Sequence, residues 1–344
     1  MKALILKRPG EFFYEEREMP GFGAKDVLVK ISAVCICGSD IHAVQGKMPL
    51  FRFPRVIGHE VTGTVEEIGK NVTRLKKGDK VCLMPCISCG TCAACSMGCQ
   101  NACPDLNLYG VQKDGGLCEY MSAPEENWIR ADQKMSDAEA AMVEPLTIGA
   151  HAVGKLRLKP GEKVLVLGAG PIGVSCAVNA GTYGARAVLA DISETRLKFV
   201  EQTFQYPTFH IQAGLSGEEQ EKNLLRCAGL KQGFDAVIDT TANTHSMESA
   251  WRYIRHGGRI VFLGISQNKL EIDGMGFHMK EPSLFVSRNS NVEDYRRVIG
   301  FCSLGMIEPS RFITHRAVFS EAGSRILEWC NAGSGVFKAV VTFP

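Results

Sequence analysis

Cys89, Cys92, Cys95 and Cys103 form the pattern C-x2-C-x2-C-x7-C in a stretch rich in Gly, Ser and Asn. Four thiolates in one short loop suit a closed tetrahedral zinc site that orders a segment too polar to fold on a core of its own. Cys86 and Cys99 share the stretch and compete for the assignment. An iron–sulfur site and free thiols are the alternatives, although plant-type ferredoxin spacing differs from this one. A second set mixes soft and borderline ligands: Cys37-Gly38-Ser39-Asp40-Ile41-His42 and Gly58-His59-Glu60. A catalytic zinc takes three protein ligands and keeps one position open for water or substrate. Cys37 and His59 are the first candidates, and the third, a carboxylate, is Glu60 or Glu144. Neighbouring side chains on a strand point opposite ways, so His59 and Glu60 share a metal only from a turn or irregular segment. Taken singly, each of these residues is ordinary core or surface; their combination carries the reading.

A third chemistry is written in glycine. Gly168-Ala169-Gly170-Pro171-Ile172-Gly173 fits G-x-G-x-x-G at the end of the apolar run Lys163–Leu167, where a strand is expected to turn into a helix. Gly168 permits the tight turn, Gly170 lets a pyrophosphate approach the backbone, and Gly173 lets the helix pack on the strand. The helix N-terminus, with Pro171 and Ile172 in its first turn, directs N–H groups at the phosphates. Asp191 ends the next strand at the spacing expected of a ribose-binding carboxylate, which repels the 2′-phosphate of NADP. No basic residue directly follows it, so NAD is the expected cofactor. Arg196, in the helix after Asp191, joins the expected cofactor contacts.

These residues need two kinds of scaffold. Asp26–Ile31, Glu60–Glu66 and Lys80–Met84 read as strands of a β-rich region, and the cysteine stretch reads as an irregular insertion. From about residue 150, buried-strand runs at 163–167, 187–191, 237–239 and 259–263 alternate with helices, which implies a doubly wound parallel sheet. The fold class is therefore α/β. Expected boundaries are a β-rich domain at 1–148 with a metal lobe at about 86–104, a nucleotide domain at 149–287, and a C-terminal segment at 288–344.

The chain of 344 residues carries 39 Lys and Arg against 37 Asp and Glu, with no basic run, so nucleic acid is an unexpected partner. Lys7-Arg8-Pro9 interrupts the apolar start too early for a signal peptide, and no apolar stretch reaches the ~20 residues that span a bilayer. Of 14 cysteines, seven lie between Cys82 and Cys103, a clustering that favours metal over disulfides and a cytoplasmic location.

In their order, these motifs and Glu144-Pro145 resemble the zinc-containing medium-chain alcohol dehydrogenase superfamily over essentially the whole chain. The resemblance implies a GroES-like catalytic domain and a Rossmann domain, with the C-terminal segment returning to the catalytic domain. It implies two Zn2+ per subunit, NAD, and a homo-oligomer, dimer or tetramer. Cys37, His59 and a glutamate would hold the catalytic zinc, with Glu144 bound through water or directly in another state. Asp40 would orient His59. Zinc would acidify the substrate hydroxyl, Ser39 would accept its proton, and His42 would carry that proton to solvent. Glu60 directly after His59 suits the sorbitol dehydrogenase branch. Ser287-Arg288-Asn289 resembles that branch and its relatives that oxidise L-galactonate or L-gulonate, with Arg288 as a donor to hydroxyls or a carboxylate. Threonine and butanediol dehydrogenases of the same family, zinc-free quinone reductases, and a non-catalytic protein that binds zinc and NAD are the competing readings.

Overall fold

The computed structural model describes residues 1–49, 51–331 and 333–344. Contacts divide the chain into two compact units: Met1–Glu144 with Asn291–Pro344, and Pro145–Ser290. The division falls at 144/145 and 290/291, where the sequence texture suggests 148/149 and 287/288. Among the described residues, no helix is long and apolar enough to cross a membrane.

The first unit is built on one long strand. Asp26–Ile36 continues beyond the expected Ile31 because its later residues are also apolar and buried. It pairs antiparallel with Glu60–Ile68 on one side and with Ala339–Thr342, close to the end of the chain, on the other. The sheet runs in the order Trp128–Arg130, Lys80–Leu83, Glu60–Ile68, Asp26–Ile36, Ala339–Thr342, His315–Val318, and Tyr120–Pro124 adds to the central strand off this path. Its core includes Val29, Ile31, Val34, Leu117, Trp128 and Val341, all buried. Each buried aliphatic side chain contributes about 1.5–3 kcal/mol relative to exposure. The cysteine stretch has little such core: a short pairing of Cys86–Ile87 with Asn107–Leu108 closes its base.

The second unit is a parallel sheet in the order Thr208–His210, Arg186–Asp191, Lys163–Leu167, Phe234–Asp239, Ile254–Phe262, Ser283–Val286. Buried on both faces, the inner strands are continuous apolar runs such as Val164–Leu167, all at 0–1% exposure. Lys163–Leu167 comes first in the chain and lies in the middle, with its successors laid down to either side. The crevice at the carboxyl end of such a strand is where an open α/β sheet binds ligands. The helix Pro171–Thr182 starts there, with Gly170 as N-cap and Pro at its first turn.

Candidate active site and metal centres

Cys37 caps the helix Gly38–Val44 as the strand Asp26–Ile36 ends. Asp40, three residues on, turns its Oδ2 back to accept the Cys37 N–H at 2.9 Å. Its other oxygen, Oδ1, lies 3.6 Å from His59 Nδ1. One buried carboxylate thus braces two candidate ligands, and by facing Nδ1 it leaves the far ring nitrogen for a metal.

His59 and Glu60 meet the geometric condition raised by their adjacency. Gly58 takes a left-handed φ of +94°, and an added Cβ there would lie 2.7 Å from Val34 Cγ1. The chain therefore bends at a position only glycine fills. His59 sits in that irregular segment and Glu60 opens the strand Glu60–Ile68. As a result, one ligand atom from each of Cys37, His59 and Glu60 lies within 4.8 Å of the others. Glu60 Oε2 is buried without a hydrogen-bond partner. An orphaned buried carboxylate oxygen beside a thiol and an imidazole suits a cation, since an unpartnered polar atom otherwise costs about 1–3 kcal/mol.

Lys338 completes the site and carries no signal in the motifs. Its Nζ donates to Glu60 Oε1 at 2.6 Å, with the side chains 4% and 1% exposed. Pairing of Ala339 with Ile36 and of Cys35 with Glu60 brings the far end of the chain here. A lysine opening the apolar run Ala339-Val340-Val341 was the available hint. Burial works against the Lys338 charge, but Glu60 outweighs it and raises the ammonium pKa. Glu144, in the first turn of the helix Val143–Leu156, is 8% exposed. Burial lifts its pKa to about 7, opposed by His59 and assisted by Glu60. For His59, burial favours the neutral ring, yet Asp40 and then Cys37 outweigh it and raise the pKa. Ser39 is half-buried and His42 exposed on the helix that Cys37 caps, three residues apart and so on neighbouring positions of one face.

In the cysteine stretch the sulfurs of Cys89, Cys92, Cys95 and Cys103 converge. Cys92 lies 3.5 Å from Cys95 and 3.9 Å from Cys103, and Cys89 lies 4.0 Å from Cys95. A tetrahedron with Zn–S of about 2.3 Å has edges of roughly 3.8 Å, whereas a disulfide would bring sulfurs to about 2.0 Å. N–H groups of Thr91 and Cys92, then the Cys103 thiol, lower the Cys89 pKa to about 6. The loop thereby prepares a thiolate for a metal. Cys99 is exposed and its thiol lies 3.9 Å from the Met97 carbonyl oxygen. The thiols fit zinc, and so does the trio Cys37, His59 and Glu60.

The glycine loop lies at the carboxyl end of Lys163–Leu167. Gly168 has a φ of +101°, and a Cβ on Gly170 would find its nearest neighbour 4.0 Å away, at Arg196 Nη1. That open space over bare backbone suits a pyrophosphate. Asp191, 7% exposed, accepts the Ala169 N–H at 2.7 Å and the Ser193 N–H at 2.8 Å, one on each oxygen. Each oxygen keeps a second lone pair for a ribose hydroxyl. Arg196, with Nη1 3.9 Å from Asp191 Oδ2, flanks the same spot. Arg288 is an exposed side chain of the second unit, two residues beyond the strand Ser283–Val286.

Comparison with known proteins follows this geometry. The alcohol dehydrogenase GroES-like domain family matches residues 23–133, and the zinc-binding dehydrogenase family matches residues 171–303. The chain is similar to L-galactonate-5-dehydrogenase of Escherichia coli K12, 38% identical with 100% of this chain and 99% of the relative covered. It is similar to D-xylulose reductase A of Aspergillus niger, 32% identical over 97% of this chain and 94% of the relative. Among solved structures, the NADH complex of the alcohol dehydrogenase rspB from Escherichia coli CFT073 superimposes with a TM-score of 0.90 at 32% identity, covering 100% and 99% of the two chains.

Proposed function

Because the chain belongs to the zinc-binding alcohol dehydrogenases, we propose that it transfers a hydride between a secondary alcohol of a polyol or sugar acid and NAD. It is an oxidoreductase of zinc type, and its relatives act on sugar-derived alcohols and ketones. The observation that carries the reading is the convergence of Cys37, His59 and Glu60, with the buried Glu60 Oε2 left unsatisfied. Cys37, His59 and Glu60 would hold the catalytic ion, and Cys89, Cys92, Cys95 and Cys103 a second one. Bound there, zinc supplies Lewis-acid polarisation of the substrate hydroxyl, so that its proton leaves near neutral pH.

The chain's own groups do the rest. Asp40 fixes the Cys37 backbone and the His59 ring. Lys338 holds Glu60 Oε1 and so presents Oε2. Ser39 Oγ accepts the hydroxyl proton, and the exposed His42 ring passes it to water. Glu144 adds a carboxyl poised near neutrality. Gly168, Gly170, Pro171, Ile172 and Gly173 receive the pyrophosphate, Asp191 and Arg196 the adenosine ribose, and Asp191 disfavours a 2′-phosphate. Arg288 selects substrates with vicinal hydroxyls or a carboxylate, because its planar fork offers nothing to a simple alcohol. The reduced, metal-disposed thiols support a cytoplasmic location.

A homo-oligomer is part of this reading. Ser283–Val286 is the last strand of its sheet, and Val286 (69% exposed), Met275 (73%) and Met279 (62%) lie open nearby in sequence. A second copy added to that edge would cover them. A screen of polyols, sugar acids and short alcohols, following NADH and NADPH formation alongside elemental analysis, tests the function. Expected are two zinc ions per chain, preference for NAD, and turnover of polyols or sugar acids. Turnover of short alcohols alone, equal use of NADP, or bound iron would contradict it.

A further inference from the structure

Residues 239–243 form a turn at the carboxyl end of Phe234–Asp239, beside the strand that leads into the glycine loop. The turn is over-determined. Asp239 is fully buried; its Oδ1 accepts the N–H and the hydroxyl of Thr241, each at 2.8 Å, and its Oδ2 accepts the Ser246 hydroxyl at 2.6 Å. Ala242 is forced to a φ of +57°, a region that residues with a Cβ avoid. Gly264 abuts it so closely that a Cβ there would collide with the Ala242 backbone. Local strain held by this much structure points to a purpose.

What the turn presents is Thr240. Its N–H and its hydroxyl both donate to the Leu167 carbonyl at 2.9 Å, and the hydroxyl oxygen lies 3.5 Å from the Gly168 carbonyl. A Cβ on Gly168 would collide with Thr240 Oγ1, and one on Gly173 would come within 3.3 Å of it. From the opposite side, Ala190 accepts the Gly168 N–H at 2.8 Å and Asp191 the Ala169 N–H at 2.7 Å. The first glycine of the loop is therefore gripped between its two neighbouring strands, with Thr240 as the jaw on one side.

We propose that Thr240 is a positioning residue for the dinucleotide, its hydroxyl setting the height at which the Gly168–Gly173 loop receives the pyrophosphate. This rests on the NAD reading of that loop. Binding constellations need support to within about 0.5 Å, and a hydroxyl wedged between two carbonyls and two glycines supplies it. Replacing the hydroxyl by a methyl leaves the Thr240 N–H on Leu167, so the strand pairing survives while a group that cannot donate is set against the Leu167 and Gly168 carbonyls.

The test is NADH affinity of the full-length, zinc-loaded protein by fluorescence titration, with NAD kinetics and thermal unfolding beside it. Thr240→Val should raise the NADH Kd about tenfold, or about 1.4 kcal/mol, the scale of one hydrogen bond. The KM for NAD should rise in step while kcat at saturating NAD stays within about twofold. Thr240→Ser keeps the hydroxyl and should bind within about twofold of the unmodified protein. Thr182→Val, which removes a 2.7 Å hydroxyl bond to the Asn179 carbonyl in the same unit, should lower the unfolding temperature without moving the Kd. If the valine variant does not fold, Thr240→Ala, which leaves room at Gly168, carries the same expectation. A folded valine or alanine variant with unchanged Kd overturns the proposal, as does a serine variant as weak as valine. Absence of NADH binding in the unmodified protein would overturn the cofactor reading and this proposal with it.

Discussion

Two candidate cation sites in one unit are built by opposite strategies. The four thiols of the lobe come from a single stretch, Cys89 to Cys103, and the groups that tune Cys89 are first of all the loop's own N–H donors. The Cys37, His59 and Glu60 site is gathered by a sheet: Asp26–Ile36 delivers Cys37, Glu60–Ile68 delivers the other two, and Ala339–Thr342 delivers Lys338 from the far end of the chain. Its electrostatics come from burial and full charges rather than from backbone dipoles. A local site orders the loop that carries it and depends little on the rest of the molecule. A gathered site presupposes a folded sheet, which must bear the cost of bringing an ion pair out of water. Stability and reactivity should therefore separate between them.

The largest effect should come from the gathered site. Cys37→Ser should lower kcat/KM by well over about 100-fold, beyond the 10–100-fold that outer partners of a metal typically command. NADH affinity should stay near normal, since the cofactor residues belong to the other unit; comparable losses in both would blur the division. Next, Lys338→Met leaves Glu60 as an uncompensated buried charge and should destabilise the protein by about 3–5 kcal/mol in urea unfolding. Adding Glu60→Gln should recover part of that loss, and strict additivity would show that the pair is not coupled.

Cys103→Ser should do the reverse of Cys37→Ser. One zinc of two should disappear by elemental analysis, and a protease should cut within residues 86–104 while NADH binding persists. Retention of both ions would remove Cys103 from the set. Cys99→Ser should do least: Cys99 is exposed and its thiol contacts the Met97 carbonyl only weakly, at 3.9 Å, so metal content and unfolding temperature should stay unchanged. Loss of zinc in that variant would mean that the lobe had been assigned the wrong thiols.

The lobe and the glycine loop were legible from residue order because their geometry is local. C-x2-C-x2-C-x7-C already places four sulfurs within one loop's reach, and G-x-G-x-x-G after an apolar run states a strand, a turn and a helix N-terminus. Lys163–Leu167 is bounded as its apolar residues suggest, while Asp26–Ile36 outlasts the expected strand because its later half is buried by partners that its own residues do not name. The choice between Glu60 and Glu144 stayed open for the same reason. Gly58, through its left-handed bend, lets adjacent His59 and Glu60 point to one place, and Val34, 24 positions earlier, leaves no room for a Cβ there.

Ligand types, the cofactor loop, the α/β class and the family resemblance were thus determined by the sequence alone, since each rests on short local patterns and on their order along the chain. Lys338 on Glu60 and Thr240 against Gly168 were decided by tertiary structure. They join segments 278 and 72 positions apart, and only strand pairing, driven by burial of apolar faces with no local signature, determines which distant polar groups meet.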